Sequence, residues 1–147
     1  MSHEVEIGRG KRGRRAYTLD DIALVPARRT RDPEDVNVGW QIDAYHVDLP
    51  LMAAPMDSVM SPETAIAFGR LGGIGVLDLD GLWTRYEDPE PILDQIAHLG
   101  EEESIATLQR VYSEPIKPAL ITERLTQLRE AGVVVAGKLS PQRVQQH

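Results

Sequence analysis

The chemistry open to this sequence rests on acids, glycines and one methionine, because its 147 residues include no cysteine. A chain without a thiol supplies no Cys nucleophile, no thiolate metal site and no disulfide. Ala53-Ala54-Pro55-Met56-Asp57-Ser58 closes a short apolar run. Small residues there let a ligand approach the backbone, Met56 can pack on a flat ring, and Asp57 can accept hydrogen bonds. The same residues also suit a structural turn in which Asp57 caps local amides. Asp78 and Asp80 are two apart and fall on one face of a strand end. Paired acids suit metal binding or proton transfer, but no histidine is near in sequence, and a solvated loop accounts for them better. His3, His46, His98 and His147 show no ligand spacing, so no metal site is expected. Lys138 could meet a phosphate or simply lie at the surface.

Two glycine clusters need separate readings. Gly8-Arg9-Gly10-Lys11-Arg12-Gly13 matches G-x-G-x-x-G in letters. A dinucleotide loop needs a strand before it and an apolar-periodic helix after it. Only a weak Val5–Ile7 segment precedes this one and an arginine-rich stretch follows, so it reads as an arm. Gly72-Gly73-Ile74-Gly75 follows a helix and enters a strand. A phosphate cradle has the opposite order, so this is a tight αβ turn with close packing.

The positioning elements follow from periodicity. Leu49–Ala54 is a nearly continuous apolar run, as expected of a strand buried on both faces. Ser61-Pro62-Glu63 gives an N-cap, a first-turn proline and an acid at a helix start, and Gly72-Gly73 stops that helix. Ile74–Leu77 is the next strand. Asp88-Pro89 opens a helix that ends at Gly100, and further helices span 102–112 and about 118–131. Val133–Ala136 is a third strand, and Ser140-Pro141 starts one more helix. Alternating β and α implies a parallel sheet. Trp40, Ile42 and Tyr45 are candidate anchors of the segment before it.

Composition bounds the class. Hydrophobic residues make up 41% and the net charge is −7, which suits a packed globular chain. No apolar run approaches the ~20 residues of a membrane span, and no signal peptide is evident; a cytoplasmic protein is expected. Residues 1–31 carry eight bases against four acids, whereas the remainder carries eight against nineteen. Residues 1–16 are expected to form a basic, irregular arm. Such an arm invites an anionic partner, but no aromatic residue interleaves its arginines before Tyr17, and nucleic acid is the least favoured partner.

Three ordered blocks carry a family resemblance. Tyr17–Pro26 (YTLDDIALVP), Pro50–Val59 (PLMAAPMDSV), and Ala65-Ile66-Ala67 with Leu71–Leu77 (LGGIGVL) resemble the opening of the IMP dehydrogenase / GMP reductase family. Glu6–Lys11 and Gly81–Tyr86 (GLWTRY) resemble its short branch, which lacks the inserted CBS pair. The resemblance implies an α/β fold: about three βα units at the amino-terminal part of a TIM (β/α)8 barrel, in residues 17–147, with strands from about residue 49.

It also implies a purine-nucleotide oxidoreductase that turns IMP, NAD+ and water into XMP and NADH. NAD is the implied cofactor, with a potassium ion in many members. A tetramer or octamer is the implied assembly. A GMP reductase-like enzyme or a non-catalytic paralogue on the same barrel is the alternative. Carried over residue by residue, Met56 matches the substrate-contacting methionine and Asp57 the acid beside it. Ala54 stands where relatives often place a substrate-contacting serine. Asp80 is a possible further site residue, standing where longer members have an asparagine. The family's catalytic cysteine has no counterpart here. A complete barrel takes eight strands and about 250 residues, so the 147 residues are expected to be a fragment, inactive alone and unstable with open sheet edges.

Overall fold

A computed structural model describes residues 4–25 and 32–144, with backbone only at 101 and 102. Pro26, Arg28, Arg29 and Arg31, His3 and His147, and the chain past residue 144 lie outside the described residues. The chain divides into two units, Met1–Val36 and Asn37–His147.

The first unit corrects the expectation of an irregular arm. β1 (Glu4–Gly8) and β2 (Lys11–Arg14) pair antiparallel, with Glu4 opposite Arg14 and Glu6 opposite Arg12. Gly10, at φ +70, makes the turn that other residues resist. The G-x-G-x-x-G letters therefore spell a hairpin turn. The hairpin escaped the sequence reading because both its faces meet solvent, leaving no apolar alternation to detect. A 3-10 turn at Leu19–Asp21 follows, closed by the Thr18 amide and hydroxyl, which donate to Asp21 Oδ2 at 3.0 and 3.1 Å.

The second unit opens with a short hairpin, β3 (Trp40–Ile42) and β4 (Tyr45–Val47). Trp40 and Tyr45, expected as anchors, are half-exposed, and Val47 is the buried residue of the hairpin. Next comes a parallel sheet in the order β5 (Met52–Ala53), β6 (Ile74–Asp78), β7 (Ala136–Lys138). α1 (Pro62–Arg70) joins β5 to β6. α2 (Glu90–Ala97), α3 (Glu101–Val111) and α4 (Pro118–Glu130) lie between β6 and β7.

α1 forms as its sequence dictates. Ser61 caps it by accepting from the Thr64 amide at 3.0 Å, Pro62 opens it, and Gly72 leaves it at φ +93. Gly75 lets the helix lie on β6, since a Cβ there would come within 2.6 Å of the Ala65 Cα. The core between sheet and helices is Met60, Ala65, Leu77, Leu79 and Leu128, with Ile121, Leu125 and Val133 packed against it.

Three strand expectations shift. β5 is only two residues of the run from Leu49 to Ala54, and Leu51 and Met52 are half-exposed rather than buried on both faces. The third strand begins at Ala136 rather than Val133. Val133 packs so closely on Gly69 of α1 that a Cβ at Gly69 would meet it at 2.7 Å, which draws these apolar residues into the helix–sheet layer before the ladder starts. Gly100, expected to end a helix, is instead the N-cap of α3. After Ser140, residues 141–144 form a turn.

Candidate functional site

The site is built where the chain leaves the carboxyl ends of the parallel strands. In parallel α/β sheets this is the edge at which ligands bind. Residues 54–60 form the loop from β5 into α1. Within it the Met60 amide donates to the Met56 carbonyl at 2.8 Å, so the loop is a tight turn. The turn exposes Ala54 and half-exposes Met56, and it tucks Asp57 inward.

Asp57 is the centre of this arrangement. Its Oδ2 accepts from the Leu82 amide at 2.8 Å and from the Tyr112 hydroxyl at 2.6 Å. Its Oδ1 is buried and has no hydrogen-bond partner. That carboxylate presses on Gly81, where any Cβ would collide with it. Burial holds the Asp57 carboxyl above the usual aspartate range; the bonds from Tyr112 and Leu82 pull the other way, and nearby Asp78 adds to the rise. Burial and the Asp57 carboxylate together push the Tyr112 hydroxyl well above its ordinary value, so it stays a donor.

The chain after β6 frames this centre. A 3-10 turn, Leu82–Thr84, is wholly buried. The Thr84 hydroxyl donates to the carbonyls of Leu79 and Gly81 at 2.9 and 3.2 Å. Arg85 donates to the Asp80 carbonyl at 2.9 and 3.1 Å and also to the Glu114 carbonyl. Arg124 of α4 reaches back to the Trp83 and Glu87 carbonyls at 3.2 and 2.6 Å. Buried guanidinium groups spent on carbonyls are a rigid scaffold, because each leaves few donors unsatisfied.

Two cavities open beside Asp57. One, of about 360 Å3, is lined by Met56, Asp57 and Asp78 and by Leu93, Leu108 and Tyr112. The second, of about 850 Å3, runs from Asp57 and Ser58 along α1 and α2 past Trp83. The smaller cavity pairs carboxylates with apolar walls. This chemistry suits a flat ring that carries N–H donors at one edge.

Asp80 lies elsewhere on the same edge. Register sets Asp78 opposite Lys138. The Lys138 Nζ is 3.2 Å from Asp78 and 3.4 Å from Asp80. Asp80 also accepts from the Ser140 amide at 2.8 Å and faces Arg143 at 3.4 Å. The acids expected in a solvated loop are thus mostly buried and ion-paired, and Lys138 is held by them. Burial lowers the Lys138 pKa, but its bonds and charge contacts with Asp78 and Asp80 outweigh this, and its ammonium is held above the usual lysine range. No cluster of three or more metal-ligating side chains occurs among the described residues, and no helix among them is long and apolar enough to cross a membrane.

Sequence reasoning singled out Ala54, Met56, Asp57 and Asp80 as candidates but not Gly81, Leu82 and Tyr112, which surround Asp57. The partners of Asp57 are 25 and 55 residues away, and no local pattern marks such a pairing.

Comparison with known proteins gives the family and the fold. A family model described as the IMP dehydrogenase / GMP reductase domain matches residues 16–84. An uncharacterized oxidoreductase of Mycolicibacterium smegmatis is 43% identical over 146 residues, which cover 96% of this chain and 39% of that protein. An inosine-5'-monophosphate dehydrogenase of Methanocaldococcus jannaschii is 41% identical over 64 residues, 44% of this chain and 13% of that protein. The crystal structure of an IMP dehydrogenase/GMP reductase-like protein from Corynebacterium glutamicum superposes with a TM-score of 0.80 at 42% identity, covering 97% of this chain and 39% of that one. The chain therefore spans about two-fifths of the length of its full-coverage relatives. It belongs to the IMP dehydrogenase / GMP reductase family, and its parallel sheet is part of that family's (β/α)8 barrel.

Proposed function

We propose that the protein acts as an IMP dehydrogenase-type oxidoreductase: IMP, NAD+ and water give XMP, NADH and a proton. The observation that carries this is the loop at the carboxyl end of β5, where Met56 offers a half-exposed thioether beside the fixed, half-buried carboxylate of Asp57. A purine ring can rest on Met56 while an N–H of the ring or of its neighbour faces the acids. Ala54 lends backbone access but no hydroxyl. Asp80, held in its ion-pair cluster, supports this edge and does not line the smaller cavity.

The chain's own residues bind and orient. With no cysteine, they supply no thiolate nucleophile. NAD+ supplies the hydride acceptor when bound. The cavity of about 360 Å3 takes a single ring system, so a dinucleotide would have to extend into the adjoining cleft or beyond these residues. A potassium ion and a homotetramer or octamer belong to this reading as expectations drawn from the family.

The test is direct. Protein purified from its source is given IMP with NAD+, and GMP with NADPH. Growth of NADH absorbance with IMP supports the dehydrogenase. Consumption of NADPH with GMP would transfer the site to the reductase reaction, and silence in both would leave a non-catalytic relative.

A further inference from the structure

The two helices α2 and α3 stand in the connection from β6 to α4. A β-to-α connection lies at the carboxyl-end face of a barrel, so this helical hairpin rises over the ligand edge. Its two ends differ. No residue of α2 is buried. The exit of α3, in contrast, is tied down. The Tyr112 hydroxyl donates to Asp57, the Tyr86 hydroxyl donates to the Val111 carbonyl at 3.1 Å, and Arg85 donates to the Glu114 carbonyl. The Lys117 amide closes the segment on the Thr84 carbonyl at 2.8 Å. Leu93, Ile96 and Leu108 of the hairpin line the smaller cavity together with Met56 and Asp57.

We propose that the α2–α3 hairpin is the outer wall of the ligand site, with Leu108 shaping a slot for a flat, donor-bearing ring and Tyr112 acting as a positioning residue that holds Asp57. This rests on the reading of the Met56–Asp57 loop as a nucleotide site and adds to it a wall contributed from outside the loop. Tyr112 acts through Asp57. Its hydroxyl takes one carboxylate oxygen together with the Leu82 amide and leaves the other unpaired. Removing the hydroxyl frees the side chain to swing, and the Met56 turn loses a tether.

Tyr112→Phe and Leu108→Gln in the full-length protein test the two halves. Tyr112→Phe should raise the KM for IMP about tenfold, the scale of one hydrogen bond to a charged group, and change kcat less than about threefold. The groups facing Asp57 are Tyr112, Asp78, Arg85 and, through its pairing with Asp78, Lys138. Because the tyrosine bond opposes the burial of the carboxylate, its loss should also move the acid limb of the kcat/KM profile to higher pH. Backbone hydrogen exchange over residues 54–60 should quicken in this variant. Leu108→Gln should raise the KM for IMP severalfold and leave that exchange unchanged.

Unchanged KM, acid limb and exchange in Tyr112→Phe would overturn the positioning role. Unchanged KM in Leu108→Gln would overturn the wall. If the wild-type protein ignores IMP and GMP while Tyr112→Phe still quickens exchange over 54–60, the tether stands and the enzymatic reading falls.

Discussion

Two carboxylate centres share the ligand edge of the sheet, and they are built in opposite ways. Asp78 and Asp80 are met by cations: Lys138 bridges both, and Arg143 faces Asp80. Asp57, one strand away, is met by a hydroxyl and an amide on one oxygen and by nothing on the other. The first centre meets its charge with cations inside the fold: Asp80 Oδ1 also has no hydrogen-bond partner, but it lies 3.4 Å from the Arg143 guanidinium. The second packs its unpaired oxygen against Gly81, in a residue that lines a cavity, with its carboxyl raised by burial. An unpaired buried polar atom costs about 1–3 kcal/mol, and each calls for a physical explanation, which a bound donor would supply at Asp57. Register and topology make the difference. Asp78 and Lys138 are partners in a parallel ladder, whereas Asp57 follows a strand of two residues and turns at once into α1.

The largest way to break this contrast is Gly81→Ala. Gly81 has φ −85, which any residue adopts, so the effect is purely steric. The new methyl group would drive the Asp57 carboxylate off both its donors. Overpacking of this kind costs about 1–3 kcal/mol, and IMP binding should fall with it. Thermal denaturation and the KM for IMP check this; a variant matching the wild type in both would mean that Asp57 is not fixed by its surroundings.

Next in size is Lys138→Met. It leaves Asp78 without its cation and Asp80 with Arg143 alone. Lys138 is 45% exposed, so solvent screening holds the loss near about 1 kcal/mol at neutral pH. The pH dependence has a definite sign. A lysine raised above its ordinary value contributes stability at every pH below that value and loses it only as pH climbs through the raised pKa. The wild-type advantage should therefore persist across neutral pH and disappear in strong alkali. A denaturation series from neutral pH into strong alkali reads this loss, and a difference that stays constant would refute the pairing.

How much of this was legible in the sequence depends on how local each signal is. Ser61-Pro62 and Gly72 mark both ends of α1, because capping and positive φ act within one turn. Ile74–Leu77 reads correctly as β6, since a strand covered on both sides is apolar throughout. The hairpin at Glu4–Arg14 did not show, because it buries neither face. β7 was displaced by three residues because Val133 serves the helix–sheet layer and not the ladder. Met56 and Asp57 could be singled out as small-residue turn chemistry at a strand end. Tyr112 could not, since its only mark is a contact made 55 residues away in sequence.

The smallest expected effect on stability is the most informative about function. In Asp57→Asn the amide oxygen can still accept from Leu82 and Tyr112, while the buried charge is gone. Asp57 is a carboxyl raised in the fold. Such a group favours the folded state in acid, below its unfolded pKa, and that contribution is lost as pH rises through the raised value. The variant should therefore gain on the wild type as pH rises from the acid range to neutral. Asp57 is only partly buried, and the new amide N–H group takes over an unpaired position, so the net change at neutral pH should stay within about 0.5 kcal/mol. Affinity for IMP should fall sharply in the same variant, because a carboxylate among the residues that line the cavity is no longer an anion. Paired melting and binding measurements at two pH values decide the matter. A large loss of stability at neutral pH that vanishes in acid would show that the Asp57 charge holds the fold together, as at Asp78 and Asp80, and the contrast between the two centres would collapse.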